Sequence, residues 1–158
     1  MVDTAMNLKS EVTVALVGKY VELHDAYLSV AEALTHGGIG HAEVRIQWID
    51  SETISPENVA EILKDVHGIL VPGGFGRRGV EGKIAAIRYA REQRIPYLGI
   101  CLGMQLGGSR ICTPCLRTGG RQFSTEFDEL TEHPVIDIMA EQKDRQVGGN
   151  DASWKISM

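Results

Sequence analysis

The feature that most constrains the fold of this chain is a short apolar segment that ends in the turn Gly99-Ile100-Cys101-Leu102-Gly103. The apolar residues before the turn, bounded by Pro96, predict a short buried strand. The spacing of the two glycines around Cys101 is that of a nucleophile elbow, a tight strand-to-helix turn, with cysteine in place of serine. Side chains at the glycine positions would collide in such a turn. Cys101 is therefore the candidate nucleophile.

Two interpretations of Cys101 are open from this spacing. At an elbow its sulfur lies near a helix N-terminus, whose free N–H groups favour the thiolate over the thiol. Alternatively, Cys101 is a buried structural cysteine, since free cysteine is among the most buried residue types. Cys112 and Cys115 have the C-x-x-C spacing of redox and zinc sites, but neither a second ligand pair nor a helix start accompanies them. We attribute that spacing to chance, predict no metal site, and expect Cys101 to be the most reactive thiol.

Strands alternate with helices along the chain up to this turn. The predicted strands are residues 12–17, 44–50, 68–71 and the segment before Cys101. The predicted helices have Asp25 as the N-cap of the first, Ser55 as the N-cap of the second, and span Lys83 to Arg91 in the third. Short connections between strands and helices indicate an α/β fold: a parallel sheet with helices on both faces, in flavodoxin-like layers. Ligands bind such sheets at the carboxyl ends of the strands.

A glycine-rich loop follows the third predicted strand. Residues 74–79 match G-x-G-x-x-G between a strand and a helix, which is the pattern of a dinucleotide-binding loop. The match is weak because the loop does not open the domain and because the next strand ends in Cys101 rather than in an acidic residue. Backbone N–H groups of a glycine turn can equally form an oxyanion hole, and a purely structural loop is the third interpretation.

Composition excludes several classes of protein. The 158 residues, 43% hydrophobic and 23% charged, fit one soluble globular domain. The net charge of -5 argues against a nucleic-acid partner. No segment is long enough to span a membrane, and the first residues lack the basic and apolar regions of a signal peptide. We therefore expect a cytoplasmic protein without a membrane or nucleic-acid partner.

The regular pattern ends after Gln105. Residues 107–123 contain several glycines and a proline and show no helical period, although an elbow should be followed by a helix. We therefore divide the chain into a lead-in (1–11), a partial domain (12–144, with 107–123 anomalous) and a tail (145–158). His133, the only histidine after Cys101, is a candidate base for it, and a solvated loop histidine is the simpler interpretation.

Several segments together closely resemble the glutamine amidotransferase domain of the CTP synthase family. They are residues 17–23, 25–27, 71–76, 78–79, 81–83 and 98–105, and the similarity resumes at 124–127 and 133–137. The resemblance implies a class I glutamine amidotransferase-like fold whose carboxyl-terminal part is incomplete. It further implies that Cys101 attacks the side-chain amide of glutamine, forms a glutamyl thioester and releases ammonia.

The resemblance also implies roles for residues around Cys101. The glutamine site would be formed by Gly74, Phe75, Leu102, Gly103, Met104, Gln105 and Glu126. Gly74 and the backbone N–H of Leu102 would hold the oxyanion, and Glu126 would bind the α-ammonium group of glutamine. No cofactor is implied for this chain. In the whole enzyme, which is homo-oligomeric in this family, a synthetase domain would use ATP and Mg²⁺ to aminate UTP to CTP.

This chain departs from the family in two respects. The family continues helically where residues 107–123 stand here, and it continues past Met158 to the His and Glu of the catalytic triad. We therefore expect a gene fragment with reading-frame errors, in which another frame of the DNA for residues 107–123 encodes a helix. We also expect little glutaminase activity, which His133→Ala should leave unchanged. A non-catalytic glutamine-binding or regulatory remnant is the alternative function.

Overall fold

The structure, a computed structural model, describes residues 10–74, 76, 78–108 and 136–137. The chain divides into two compact units, Met1–Gly120 and Arg121–Met158, and every element described below belongs to the first. Among the described residues, no helix has the length and apolar character needed to cross a membrane.

Four parallel strands form one sheet in the order β2-β1-β3-β4. The strands are β1 (Glu11–Gly18), β2 (Glu43–Asp50), β3 (Gly68–Val71) and β4 (Tyr97–Gly99). From β1 the chain first runs to β2 on one side and then crosses to β3 and β4 on the other. The switch point of the sheet therefore lies between β1 and β3. In parallel sheets of this kind, ligands bind outside the carboxyl ends of the strands at such a switch point. The predicted α/β fold with a parallel sheet is confirmed.

The helices are α1 (Leu28–Gly38), α2 (Val59–Ile62), α3 (Val80–Gln93) and α4 (residues 102–108). Right-handed crossovers place α1 on one face of the sheet, and α2 and α3 on the other, because the connections from β1 and from β2 run in opposite directions across the sheet. The predicted covering of both faces follows from this topology. It also explains why the central strands are apolar over residues 14–17 of β1 and 69–71 of β3.

The core lies at the two central strands, β1 and β3. Six of their residues are at most 2% exposed: Ala15, Leu16, Val17, Ile69, Leu70 and Val71. A continuous apolar run is typical of a strand that is covered on both faces. β2, at the edge of the sheet, instead alternates between exposed and half-buried residues along most of its length. The apolar interior therefore extends to the carboxyl ends of β1 and β3, where the candidate site lies.

The predicted N-cap at Asp25 is wrong. Residues His24–Tyr27 form a short 3-10 turn, and α1 begins only at Leu28. The reason is tertiary, because Tyr27 is buried and its hydroxyl accepts hydrogen bonds from the backbone N–H groups of Lys19 (3.0 Å) and Tyr20 (3.3 Å). The turn that delivers Tyr27 to these donors delays the start of the helix.

The predicted helix start at Ser55 is also wrong. α2 begins at Val59 and has four residues. The Asn58 side chain accepts a hydrogen bond from the Ser55 N–H (2.7 Å) and donates one to the Thr53 carbonyl (2.8 Å), so these residues are held in a turn. The Ser55 hydroxyl bonds the Glu57 carboxylate and thereby lowers the pKa of Glu57, instead of capping the helix.

The third helix is longer than predicted. α3 begins at Val80, ahead of the predicted start at Lys83, and ends at Gln93. Gly79 lies at its N-cap with a φ of 72°, and Arg94 lies at its C-cap in the left-handed region. The helix therefore begins directly at the end of the glycine-rich loop and includes Lys83 in its first turns.

We expect Tyr27→Phe to lower the free energy of unfolding by about 1–2 kcal/mol, because two partly buried N–H groups lose their acceptor. Urea denaturation measures this change. Tyr20→Phe is the matched control, since Tyr20 is 46% exposed and its hydroxyl should contribute little. Equal stability changes in the two variants would contradict this role of the Tyr27 hydroxyl.

Candidate active site

Cys101 lies in the turn between β4 and α4 with a φ of 52°. The Ile100 N–H donates to the Val71 carbonyl (3.0 Å), and the Gln105 N–H donates to the Cys101 carbonyl (3.0 Å). The chain therefore passes from the sheet into a helix within a few residues. A non-glycine residue at positive φ is strained and persists only where the surrounding structure holds it. The predicted elbow geometry is confirmed.

The two glycines of the elbow are required by close packing. A Cβ on Gly99 would lie 2.5 Å from the backbone of Gly103, and a Cβ on Gly103 would overlap the Val71 carbonyl oxygen. The Tyr97 hydroxyl donates to the Gly103 carbonyl (2.6 Å) and holds the first turn of α4 against β4. Burial raises the pKa of Tyr97, so this hydroxyl stays protonated and remains a donor.

The side chain of Cys101 is exposed. The alternative interpretation of a buried structural cysteine is therefore wrong. Its Cβ and Sγ lie 3.2 and 3.7 Å from the position that a Cβ on Gly73 would take. Cys101 is thus in contact with the start of the glycine-rich loop, although the two motifs are separate in sequence. Both follow neighbouring parallel strands, β3 and β4, whose carboxyl ends meet at one edge of the sheet.

Basic side chains lie against the glycine-rich loop. The Nζ of Lys83 is 3.4 Å from the position of a Cβ on Gly74, and the Nζ of Lys19 is 3.7 Å from that on Gly76. Lys83 is fully buried, whereas Lys19 also lies over the ring of Tyr20, 5.7 Å from its centroid. These positive charges favour negative charge on a group bound at the loop.

The turn after β2 holds the other end of this loop. Ser51 is fully buried and packs against Gly79 and Gly82. Next to it, the Glu52 carboxylate forms an ion pair with Arg78. The loop is therefore fixed by β3 at its start and by the residues after β2 at its end.

The predicted site residues in α4 differ in exposure. Leu102 is buried, Gln105 is half-buried, and Met104 is exposed. The backbone N–H groups of the first helical turn have no partner within the helix, and Leu102 is the first residue of α4. Gly74 lies in the loop that contacts Cys101. This arrangement suits acyl transfer, in which a nucleophile needs nearby donors for a developing negative charge.

Other predicted residues lie outside the described part of the chain. They are Phe75, Cys112, Cys115, Glu126 and His133. The helix after the elbow extends to residue 108, so the first two residues of the anomalous segment, Gly107 and Gly108, are helical. Residues 109–123 lie outside the description. Within the described residues no group of three or more His, Cys, Asp or Glu side chains could hold a metal ion.

Lys83 was not singled out as a site residue by the sequence, although a signal for it exists. It lies four residues before Ile87 and seven before Ala90, on the buried face of α3. A lysine in register with an apolar helix face has to be buried with the rest of that face. Such a residue is a candidate for a functional role, since lysine is almost never fully buried without a partner.

Comparison with known proteins agrees with this geometry. Residues 22–148 match the family model described as "Glutamine amidotransferase class-I". CTP synthase from Geobacillus kaustophilus is 56% identical over 94% of this chain, and CTP synthase from Desulfitobacterium hafniense is 55% identical over 99% of it. The chain spans 28% and 30% of the lengths of these two relatives.

A solved structure is similar as well. The glutaminase domain of Trypanosoma brucei CTPS with bound acivicin superposes with a TM-score of 0.74 at 36% sequence identity. The match covers 89% of this chain and 54% of that chain. Fold, family model and sequence identity agree, and the chain belongs to the class I glutamine amidotransferase family.

Proposed function

We propose that the chain is the glutamine-hydrolysing part of a CTP synthase, with Cys101 as its nucleophile. The observation that carries this proposal is the contact of an exposed, strained Cys101 with the loop at Gly73. Nucleophile and oxyanion loop are brought together by two neighbouring strands in a chain 56% identical to a CTP synthase. The same contact favours the oxyanion use of the loop over dinucleotide binding.

In the proposed reaction, the thiolate of Cys101 attacks the side-chain carbonyl carbon of glutamine. A C–S bond forms, and the carbonyl electron pair moves to oxygen, to which the N–H groups of Gly74 and Leu102 would donate hydrogen bonds. The intermediate collapses as the C–N bond breaks, and the nitrogen leaves as ammonia after it takes up from solvent the proton that the Cys101 thiol released. Water then hydrolyses the thioester, which releases glutamate and restores the thiol.

The remaining glutamine contacts are proposed by family match. Phe75, Gly103, Met104 and Gln105 would surround the side chain of glutamine. Glu126 would bind the α-ammonium group, because a carboxylate makes a charge-assisted contact that selects free glutamine.

The ammonia would serve a synthetase domain of a longer, homo-oligomeric cytoplasmic enzyme. Its chemistry would be the ATP- and Mg²⁺-dependent amination of UTP to CTP. Support for this role is the identity to CTP synthases, whose full lengths exceed this chain more than threefold. ATP, Mg²⁺ and UTP would act in that synthetase domain, and no step at Cys101 requires them.

A non-catalytic glutamine-binding remnant is the second candidate, and one experiment separates the two. The chain is incubated with glutamine and hydroxylamine, which captures a glutamyl thioester as γ-glutamyl hydroxamate. In parallel, protection of Cys101 from iodoacetamide by glutamine is followed by mass spectrometry. We expect both hydroxamate and protection. Protection without hydroxamate would support the binding remnant. The absence of both protection and hydroxamate would contradict a glutamine site.

A further inference from the structure

Lys83 is a buried cation that the proposed reaction does not use. Its side chain has 0% relative exposure, and it is the largest fully buried side chain among the described residues. Its Nζ lies 3.4 Å from the Cβ position of Gly74 and has no hydrogen-bond partner among the residues that the structure describes. The ammonium group therefore lies directly against the backbone of the oxyanion loop.

This placement is unfavourable for the folded state. An ammonium group that is removed from water without a compensating partner destabilises the folded state. Burial is the main reason why the pKa of Lys83 lies below its ordinary value, and the positive charge of Lys19 lowers it further. The negative charge of Cys101 acts in the opposite direction and raises it. A methionine of similar length would fill the same space without this penalty.

Lys83 and Cys101 pack against adjacent residues of one loop. Lys83 packs on Gly74, and Cys101 packs on Gly73. An ammonium group at this position attracts a negative charge that develops at or near the sulfur during the reaction. The negative charge of the tetrahedral intermediate would develop beside Gly74, on the same loop, where it is favoured in the same way.

We propose that Lys83 is a positioning residue for the reaction at Cys101, whose buried ammonium supports the Gly73–Gly74 loop and favours the thiolate and the oxyanion. This inference rests on the proposed role of Cys101 as nucleophile. It does not depend on glutamine as the substrate. Functional sites commonly retain groups that destabilise the fold, and the buried charge of Lys83 is such a group.

The charged groups near Lys83 come from several elements of the fold. Lys19, at the end of β1, and Cys101, after β4, are the groups that act on its protonation. On the side of β2, the Glu52 carboxylate is paired with Arg78. On α3 itself, Glu81 lines a cavity of about 330 Å³ between α2 and α3. Lys83 therefore faces a second cation and the thiol, while the nearby Glu52 carboxylate is paired with Arg78.

The first test measures the rate at which iodoacetamide alkylates Cys101 in the full chain, by peptide mass spectrometry from pH 6 to pH 11. We expect Lys83→Met to lower this rate roughly tenfold near pH 7, because a unit positive charge near the sulfur is lost. The two rates should meet at alkaline pH, where the thiol is ionised in both proteins. Lys64→Met is the control, since Lys64 is exposed and pairs with Glu61 on the surface.

The second test measures thermal unfolding of the same variants. We expect Lys83→Met to raise the Tm by several degrees relative to Lys64→Met, since the buried charge is removed. The folded-state pKa of Lys83 is lowered, so between that value and the ordinary 10.5 the unfolded chain binds more protons. Wild-type stability from this group therefore rises with pH in that window. The advantage of Lys83→Met should be greatest below the window and should disappear above it.

Three outcomes would overturn the proposal. One is that Cys101 is alkylated in Lys83→Met at the same rate as in Lys64→Met at neutral pH. Another is a rate lowered by the same factor at every pH, which indicates altered access rather than altered charge. The third is a lower Tm or an unfolded Lys83→Met, which would make Lys83 a structural residue. Because iodoacetamide needs no glutamine site, none of these results depends on the hydroxamate experiment.

Discussion

Replacing Cys101 with serine is expected to reduce the small glutamine-dependent hydroxamate formation of this chain to background. The serine would keep the strained position at the elbow, but its hydroxyl is a weak nucleophile without a strong base beside it. The measurement is the colorimetric assay of γ-glutamyl hydroxamate with purified protein. The fast-reacting thiol in iodoacetamide labelling should disappear in the same variant.

The matched controls are Cys112→Ser and Cys115→Ser. We expect both to keep hydroxamate formation and the fast-reacting thiol, because Cys101 lies at an elbow against the glycine-rich loop, whereas the sequence around Cys112 and Cys115 lacks the elbow spacing. Persistence of hydroxamate formation in Cys101→Ser would assign the nucleophile elsewhere. Preferential labelling of Cys112 or Cys115 in the wild-type chain would count against the reactivity that the elbow confers.

The second large effect concerns the packing of the elbow. We expect Gly103→Ala to destabilise the fold by about 3 kcal/mol or more, because the added methyl overlaps the Val71 carbonyl oxygen in the core of the sheet. Neither the backbone of β3 nor the first turn of α4 can move without loss of its hydrogen bonds. Urea denaturation followed by circular dichroism measures this change.

Gly37→Ala is the control for this substitution. Gly37 lies in α1, and a Cβ at this position has no heavy atom within 4 Å. The same exchange should therefore stabilise the protein by roughly 0.5–1 kcal/mol through the higher helix propensity of alanine. A Gly103→Ala variant as stable as Gly37→Ala would show that the elbow tolerates a side chain and that its glycine serves no steric purpose.

Local sequence patterns were most informative where short-range physics dominates. The apolar runs of β1 and β3 predict buried strands, because a strand covered on both faces needs apolar side chains throughout. The glycine spacing around Cys101 predicts the elbow, since that spacing is typical of a tight strand-to-helix turn; the collision avoided at Gly99 is local, and the one avoided at Gly103 is with Val71 of the neighbouring strand. Both predictions are carried by the spacing of residue types along the chain.

Helix starts were less predictable, because long-range contacts compete with local capping. Asp25 has the right residue type for an N-cap, but the buried Tyr27 hydroxyl binds N–H groups of the chain after β1 and holds a 3-10 turn there. Ser55 likewise has the right type, but the Asn58 side chain holds a turn in its place. In both segments a side-chain hydrogen bond replaces the predicted cap.

The sequence by itself therefore determined the α/β class, the elbow at Cys101 and the family, since each depends on residue spacing along the chain. Only the tertiary structure decided that Cys101 meets the loop at Gly73 and that Lys83 is buried against Gly74. These contacts join separate strands and helices, and their formation depends on the strand order β2-β1-β3-β4. Residue spacing determines which face of a strand or helix is apolar. The order of the strands determines which residues of other elements pack against that face.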